Sequence, residues 1–101
     1  MATRPIWKHP DDRLFRTLSF DLVLPGGVNL QSSPLPTIAV APAGALTGAV
    51  LSVAGQAATF RLDESPNGGA DGSDYLVTVA AVADNGEIYN RAVTVKVRTG
   101  I

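Results

Sequence analysis

The sequence predicts an all-β fold: an antiparallel β-sandwich of six or seven strands over residues 13–101, preceded by an extended N-terminal arm over residues 1–12. Three observations lead there. Residues 72–98 hold two long runs of alternating side chains joined by Asp84-Asn85-Gly86-Glu87, and a period of two is the signature of a strand. Gly, Pro, Asn and Ser clusters recur at short intervals along the chain, and no stretch has the 3.6-residue period of an amphipathic helix of useful length. Many short strands separated by turn signals point to two packed sheets.

The elements follow in order. Within residues 1–12, Pro5 and Pro10 remove backbone donors and bias the residues before them toward extended conformations. Ile6 and Trp7, the only tryptophan, have no periodic apolar neighbours there. Residues 13–24 place Leu14, Leu18, Phe20, Leu22 and Leu24 at even positions, which reads as a first strand closed by Pro25-Gly26-Gly27. Leu14 and Leu18 also fit helical spacing. Residues 28–30 form a short edge piece, 37–41 a strand ended by Pro42 and Gly44, 46–54 another, and 57–63 a third entered through Gly55-Gln56. The small residues between 39 and 58 also admit a one-turn helix.

The closing hairpin is the strongest element. Tyr75, Val77, Val79, Ala81 and Ala83 share one face of its first run; Val93, Val95 and Val97 share one face of the second. Asn85-Gly86 supplies the positive φ that a tight hairpin needs. A one-residue slip would drive Lys96 and Arg98 into the core, so burial of the valines sets the register. Asp71 stands four residues before Tyr75, and Val77 follows it inward. That is similar to the tyrosine corner of immunoglobulin-like sandwiches, in which the hydroxyl ties the preceding loop to the strand, so the expected fold is an immunoglobulin-like antiparallel β-sandwich. A tyrosine packed at a strand end without a corner is the plainer alternative.

Composition narrows the function. A chain of 101 residues holds one domain with a core of its own. It has no cysteine, eight basic and nine acidic residues and no basic cluster, so disulfides, thiolate metal sites and a nucleic-acid footprint are not expected. The N-terminus lacks the apolar core of a signal peptide, and the longest apolar stretch, near residues 76–83, is too short to cross a bilayer.

No motif for an enzyme emerges. The single histidine, His9, lies in the arm and away from any rigid element, which suits neither a general base nor a metal ligand. Residues 63–74 hold several carboxylates without the spacing of a calcium loop, so a solvated turn and a calcium site both stand as readings. Gly26-Gly27 and Gly68-Gly69 are turn signals, not phosphate cradles. No cofactor is expected. The apolar pair on the arm is the partner-binding candidate, with Pro5, Ile6, Trp7, Lys8 and Pro10 as its contact residues. Either Trp7 folds back onto its own sandwich, or the arm docks on a neighbouring subunit. Burying Ile6 and Trp7 contributes roughly 1.5–3 kcal/mol each. That is little against the cost of association, so stable attachment would need repeated copies.

Three stretches carry a family resemblance: Lys8-His9-Pro10-Asp11-Asp12-Arg13-Leu14, then Asn67-Gly68-Gly69-Ala70-Asp71-Gly72-Ser73-Asp74-Tyr75, then the hairpin through Asp84-Asn85-Gly86 to Val97. Together they resemble a family of small tailed-phage proteins described as fibre-to-tail adaptors or small virion proteins. Such proteins open with Lys-x-Pro-x-Asp and close with a Gly-Gly-x-x-Gly-x-x-Tyr-x-Val hairpin. Residues 25–56 lie outside the resemblance.

The resemblance implies a non-enzymatic structural protein of the virion, assembled in the host cytoplasm and present in several copies, such as a ring. It would join tail or portal-proximal proteins to fibres or spikes, with neither nucleic acid nor membrane as a partner. Two other readings stay open, a capsid decoration or other head protein and a glycan-binding sandwich used in host adsorption.

Overall fold

The computed structural model describes residues 4–100, and their secondary structure is strand, turn and loop throughout. Residues 1–3 of the expected arm lie outside the described residues. The strands are β1 (Ile6–Lys8), β2 (Leu14–Ser19), β3 (Thr37–Ala41), β4 (Gly48–Ala54), β5 (Ala57–Leu62), β6 (Asp74–Val82) and β7 (Ile88–Val97). They form one sheet of order β1-β7-β6-β3 and one of order β2-β5-β4. Every pairing is antiparallel except that of β1 with β7.

One core lies between the sheets. Val77, Val79, Val95 and Val97 from the first and Phe60 and Leu62 from the second are all at most 1% exposed. Each such side chain contributes roughly 1.5–3 kcal/mol through burial. The β6–β7 hairpin has the expected register, with Tyr75 opposite Val95 and Val77 opposite Val93. Its turn differs in one respect. Only Gly86 has a positive φ, of 87°, and Asn85 does not. Gly86 N–H donates to Ala83 O and Ala83 N–H to Glu87 O, the pattern of a three-residue hairpin loop whose last residue is left-handed.

Two stretches depart from the sequence-based expectation. The first strand stops at Ser19 instead of continuing to residue 24. Val23 and Leu24 N–H both donate to Phe20 O, closing one helical turn. Ser19 Oγ accepts Asp21 N–H at 3.2 Å, a local bond that competes with ladder pairing. Phe20 and Leu24, four apart, therefore both point inward, while Leu22 is left 62% exposed. The second departure is at the N-terminus, where residues 6–8 of the expected arm add to the chain's own sheet as β1. Ile6 opposes Val95 and Lys8 opposes Val97 on the inward register, and Trp7 opposes Lys96 on the outward one.

The sheet edges differ in how they are closed. β3 is five residues long and lies between Pro36 and Pro42. β4 is bulged between Val50 and Ser52. β2 carries Arg16 on the same face as buried Leu18. Short length, prolines, bulges and inward-register charges all discourage edge pairing. β1 covers only Val95, Lys96 and Val97 of β7. Residues 88–94 of that strand are paired on the β6 side alone among the described residues.

Candidate functional site

One end of the sandwich is built around a buried lysine. β1 directs Lys8 inward, where the residue is fully buried. Its Nζ donates to the carbonyl oxygens of Gly68 at 3.0 Å, His9 at 3.1 Å and Pro10 at 3.4 Å. Asp12 N–H donates to His9 O at 3.0 Å, a turn that brings the His9 and Pro10 carbonyls round to the ammonium. Gly68 is where the strand-entry loop meets this turn. A Cβ there would lie 1.8 Å from Pro10 O, so only glycine permits the approach. Burial pushes the Lys8 pKa down, while Asp12, Glu64, Asp11 and Asp63 act in the opposite direction. The Lys-x-Pro and Gly-Gly stretches, about sixty residues apart in sequence, thus meet at one ammonium group.

The acidic loop is held by the protein itself. Asp63 accepts bonds from Thr47 Oγ1 and, at 2.7 Å, from Arg61 Nε. Burial alone would raise its pKa, but those bonds outweigh it and hold the carboxyl below its ordinary value. Glu64 is paired with Arg13, whose hydrogen bond lowers its pKa. Asp71 accepts Thr99 N–H at 2.8 Å and is lowered by that bond. Asp74 pairs with Arg98 at 2.9 Å and Lys96 at 3.8 Å. Ala70 N–H donates to Tyr75 Oη at 2.9 Å, so the tyrosine hydroxyl does tie this loop to β6.

Above this end, on the outer face of the four-stranded sheet, Trp7 is 53% exposed. Lys96 Nζ lies 5.6 Å and the Arg98 guanidinium carbon 5.9 Å from its ring centroid. Both cations reach Asp74, so the indole, two cations and one carboxylate form a fixed row across β1, β7 and β6. Leu76, 48% exposed, lies on the same face. Of the five residues read from sequence as partner-binding, Pro5 and Trp7 face outward, Ile6 packs against the core and Lys8 is buried. Pro10 contributes its carbonyl to the lysine.

The sandwich also has two open flanks that sequence reading missed. Between the β1–β7 edge and β2 lies a slot of about 160 Å³, with Ile6, Leu18, Phe60 and Val93 as apolar walls and Arg4 and Arg16 beside them. On the opposite flank, between β3 and β4, a hollow of about 220 Å³ is lined by Ile38, Val40, Leu46 and small residues, without a charged group. The available signal was Arg16, a charge on the inward register of an otherwise apolar strand.

Comparison with known proteins places the chain. Residues 8–96 match the family model described as podophage GP4 fiber-tail adaptor protein gp77. The chain belongs to that family. It is accordingly a bacteriophage structural protein of the fibre-tail adaptor class, a component of the virion that binds other virion proteins. No curated protein matches the chain. The family match opens on Lys8 and takes in the whole lysine-centred end, whereas Pro5, Ile6 and Trp7 precede it.

Proposed function

We propose that this adaptor acts without catalysis, in multiple copies arranged as a ring, and joins the phage tail to its fibres through the outward row centred on Trp7. The observation that carries this is the indole itself. A large aromatic half-exposed on a strand is anchored from below by a buried lysine and flanked by two cations. Tryptophan and arginine dominate the energetic centres of protein interfaces, and an anchor already held in place loses little conformational freedom on docking. Pro5 and Trp7 make the contact; Ile6, Lys8 and Pro10 hold the strand that presents them. Assembly takes place in the host cytoplasm onto protein partners, with no membrane partner; the near-balanced charge supports the exclusion of nucleic acid.

Trp7→Ala tests the reading. Because the ring is largely exposed, the substitution removes a cation–π contribution of about 0.5–1 kcal/mol from the fold, and the purified variant should melt close to wild type. Particles carrying it should hold fewer copies of the adaptor and fewer fibres, as counted by quantitative mass spectrometry. Full occupancy of both would overturn the reading.

A further inference from the structure

Beyond the Trp7 row, the charged flank has the parts of a second recognition surface. Arg98 N–H donates to Lys8 O, and Val97 exchanges bonds with the β6 side through Ser73 and Gly72. Main-chain groups of alternate residues point to opposite edges of an extended strand. The amides and carbonyls of Asn90 and Ala92 and the amide of Thr94 therefore face the side that β1 leaves open. This open run lacks the prolines and bulge that close the other edges; its one inward-register charge, Arg91, reaches across to Ser19 O of the facing sheet.

The slot opens beside it. Its roughly 160 Å³ is close to the volume of about 150 Å³ known to take a benzene ring, which suits one aromatic or branched aliphatic side chain. Arg4 and Arg16 line it, and neither forms an ion pair with a carboxylate among the described residues. Arg91 adds a third guanidinium at the same flank, where it donates to Ser19 O at 3.1 Å.

We infer that residues 88–94 of β7 accept an extended segment of another virion protein as an added strand, with an apolar side chain in the slot and neighbouring Asp or Glu carboxylates on Arg4 and Arg16. Main-chain pairing supplies affinity in this mode and the pocket supplies specificity. Guanidinium groups bind carboxylates bidentately, which fixes the strand's register. The inference rests on the adaptor reading for the class of partner, but it uses a different surface from Trp7.

The experiment places a photo-crosslinking residue at the open edge, Asn90→p-benzoylphenylalanine, in the full chain on assembled particles. It is repeated with Arg4→Glu/Arg16→Glu and with the charge-preserving Arg4→Lys/Arg16→Lys, each variant first shown to be folded by its amide spectrum. The expected result is a crosslink to a carboxylate-bearing extended segment of a different virion protein. Its yield should drop on the order of tenfold or more with the glutamate pair, since like charges oppose docking, and by less with the lysine pair, which keeps the charge but loses the bidentate fork. A crosslink to a second copy of the chain, to a segment without Asp or Glu, or of a yield unaffected by charge reversal would overturn the inference. So would no crosslink from a chain present in tails. Absence of the chain from tails would overturn the adaptor reading together with this one, and the occupancy measurement separates the two failures.

Discussion

Lys8→Met removes the ammonium while keeping an unbranched stem of similar volume, so it isolates the bonds at the centre of the lysine-built end. Three carbonyls lose the ammonium, although that of His9 keeps its bond from Asp12 N–H. Those of His9 and Pro10 are only partly buried and can take water in exchange, whereas that of Gly68 is buried. A buried acceptor left without a partner costs about 1–3 kcal/mol. Relief of the lysine's desolvation, visible as its lowered pKa, offsets part of the lost charge-assisted bonding, and the net expectation is a destabilisation of about 2 kcal/mol. For a domain near 100 residues this is a fall in Tm of roughly 8–16 °C. Urea denaturation at pH 7 measures it directly. The pH dependence provides an internal check. With its folded pKa below the ordinary 10.5, Lys8 holds its proton less tightly in the folded chain than in the unfolded one. Its contribution to stability therefore increases as pH rises through the folded value, and the gap between wild type and Lys8→Met should widen in that alkaline range. A Lys8→Met chain as stable as wild type at pH 7 would show that desolvation outweighs the three bonds and would refute the reasoning.

Three further outcomes follow from the same geometry. Gly68→Ala forces a Cβ onto Pro10 O and should cost roughly 1–3 kcal/mol; because it displaces the turn that Lys8 binds, its effect should be less than additive with Lys8→Met in a double-mutant cycle. Full additivity would place the two residues in separate units. Tyr75→Phe deletes the hydroxyl that accepts Ala70 N–H and should cost about 0.5–1.5 kcal/mol, with faster amide exchange at Ala70; unchanged exchange there would count against the loop tether. The carboxyls of Asp63, Glu64 and Asp71 all have lowered folded pKa values, so their stabilisation is complete above the ordinary carboxylate range near about pH 4 and is lost as pH falls through the folded values. Denaturation at pH 5, 4 and 3 should show falling stability, with a shallower fall in Asp63→Asn; a flat profile would contradict this.

The β6–β7 hairpin was legible because it is written in alternation. Every inward residue of β6 and the valines of β7 could be read from a period of two, and the Tyr75 hydroxyl from its position at the start of a strand. What escaped was set by contacts distant in sequence. A three-residue strand has no period, and Lys8 reads as a partner-contact residue until Gly68, His9 and Pro10 are seen to supply its acceptors. The break at Ser19 depends on one side-chain bond to Asp21, too local for an alternation pattern that Phe20, Leu22 and Leu24 extend on paper. Of the residues proposed to bind a partner, Trp7 was legible as an apolar side chain without neighbours. The roles of Ile6, Lys8 and Pro10 as its support were not, because they follow from the parallel pairing with β7. Arg4 and Arg16 are twelve residues apart in sequence, and only the stacking of β2 under the β1–β7 edge brings them to one slot.

The central claim is that this chain bridges tail and fibres, and the most direct test is its location. Particles can be separated into heads and into detached tails bearing fibres, and each fraction quantified by mass spectrometry. The account expects the chain in the tail fraction, in a fixed multiple of the tail proteins and depleted from heads. Enrichment in heads, or absence from both fractions, would contradict it.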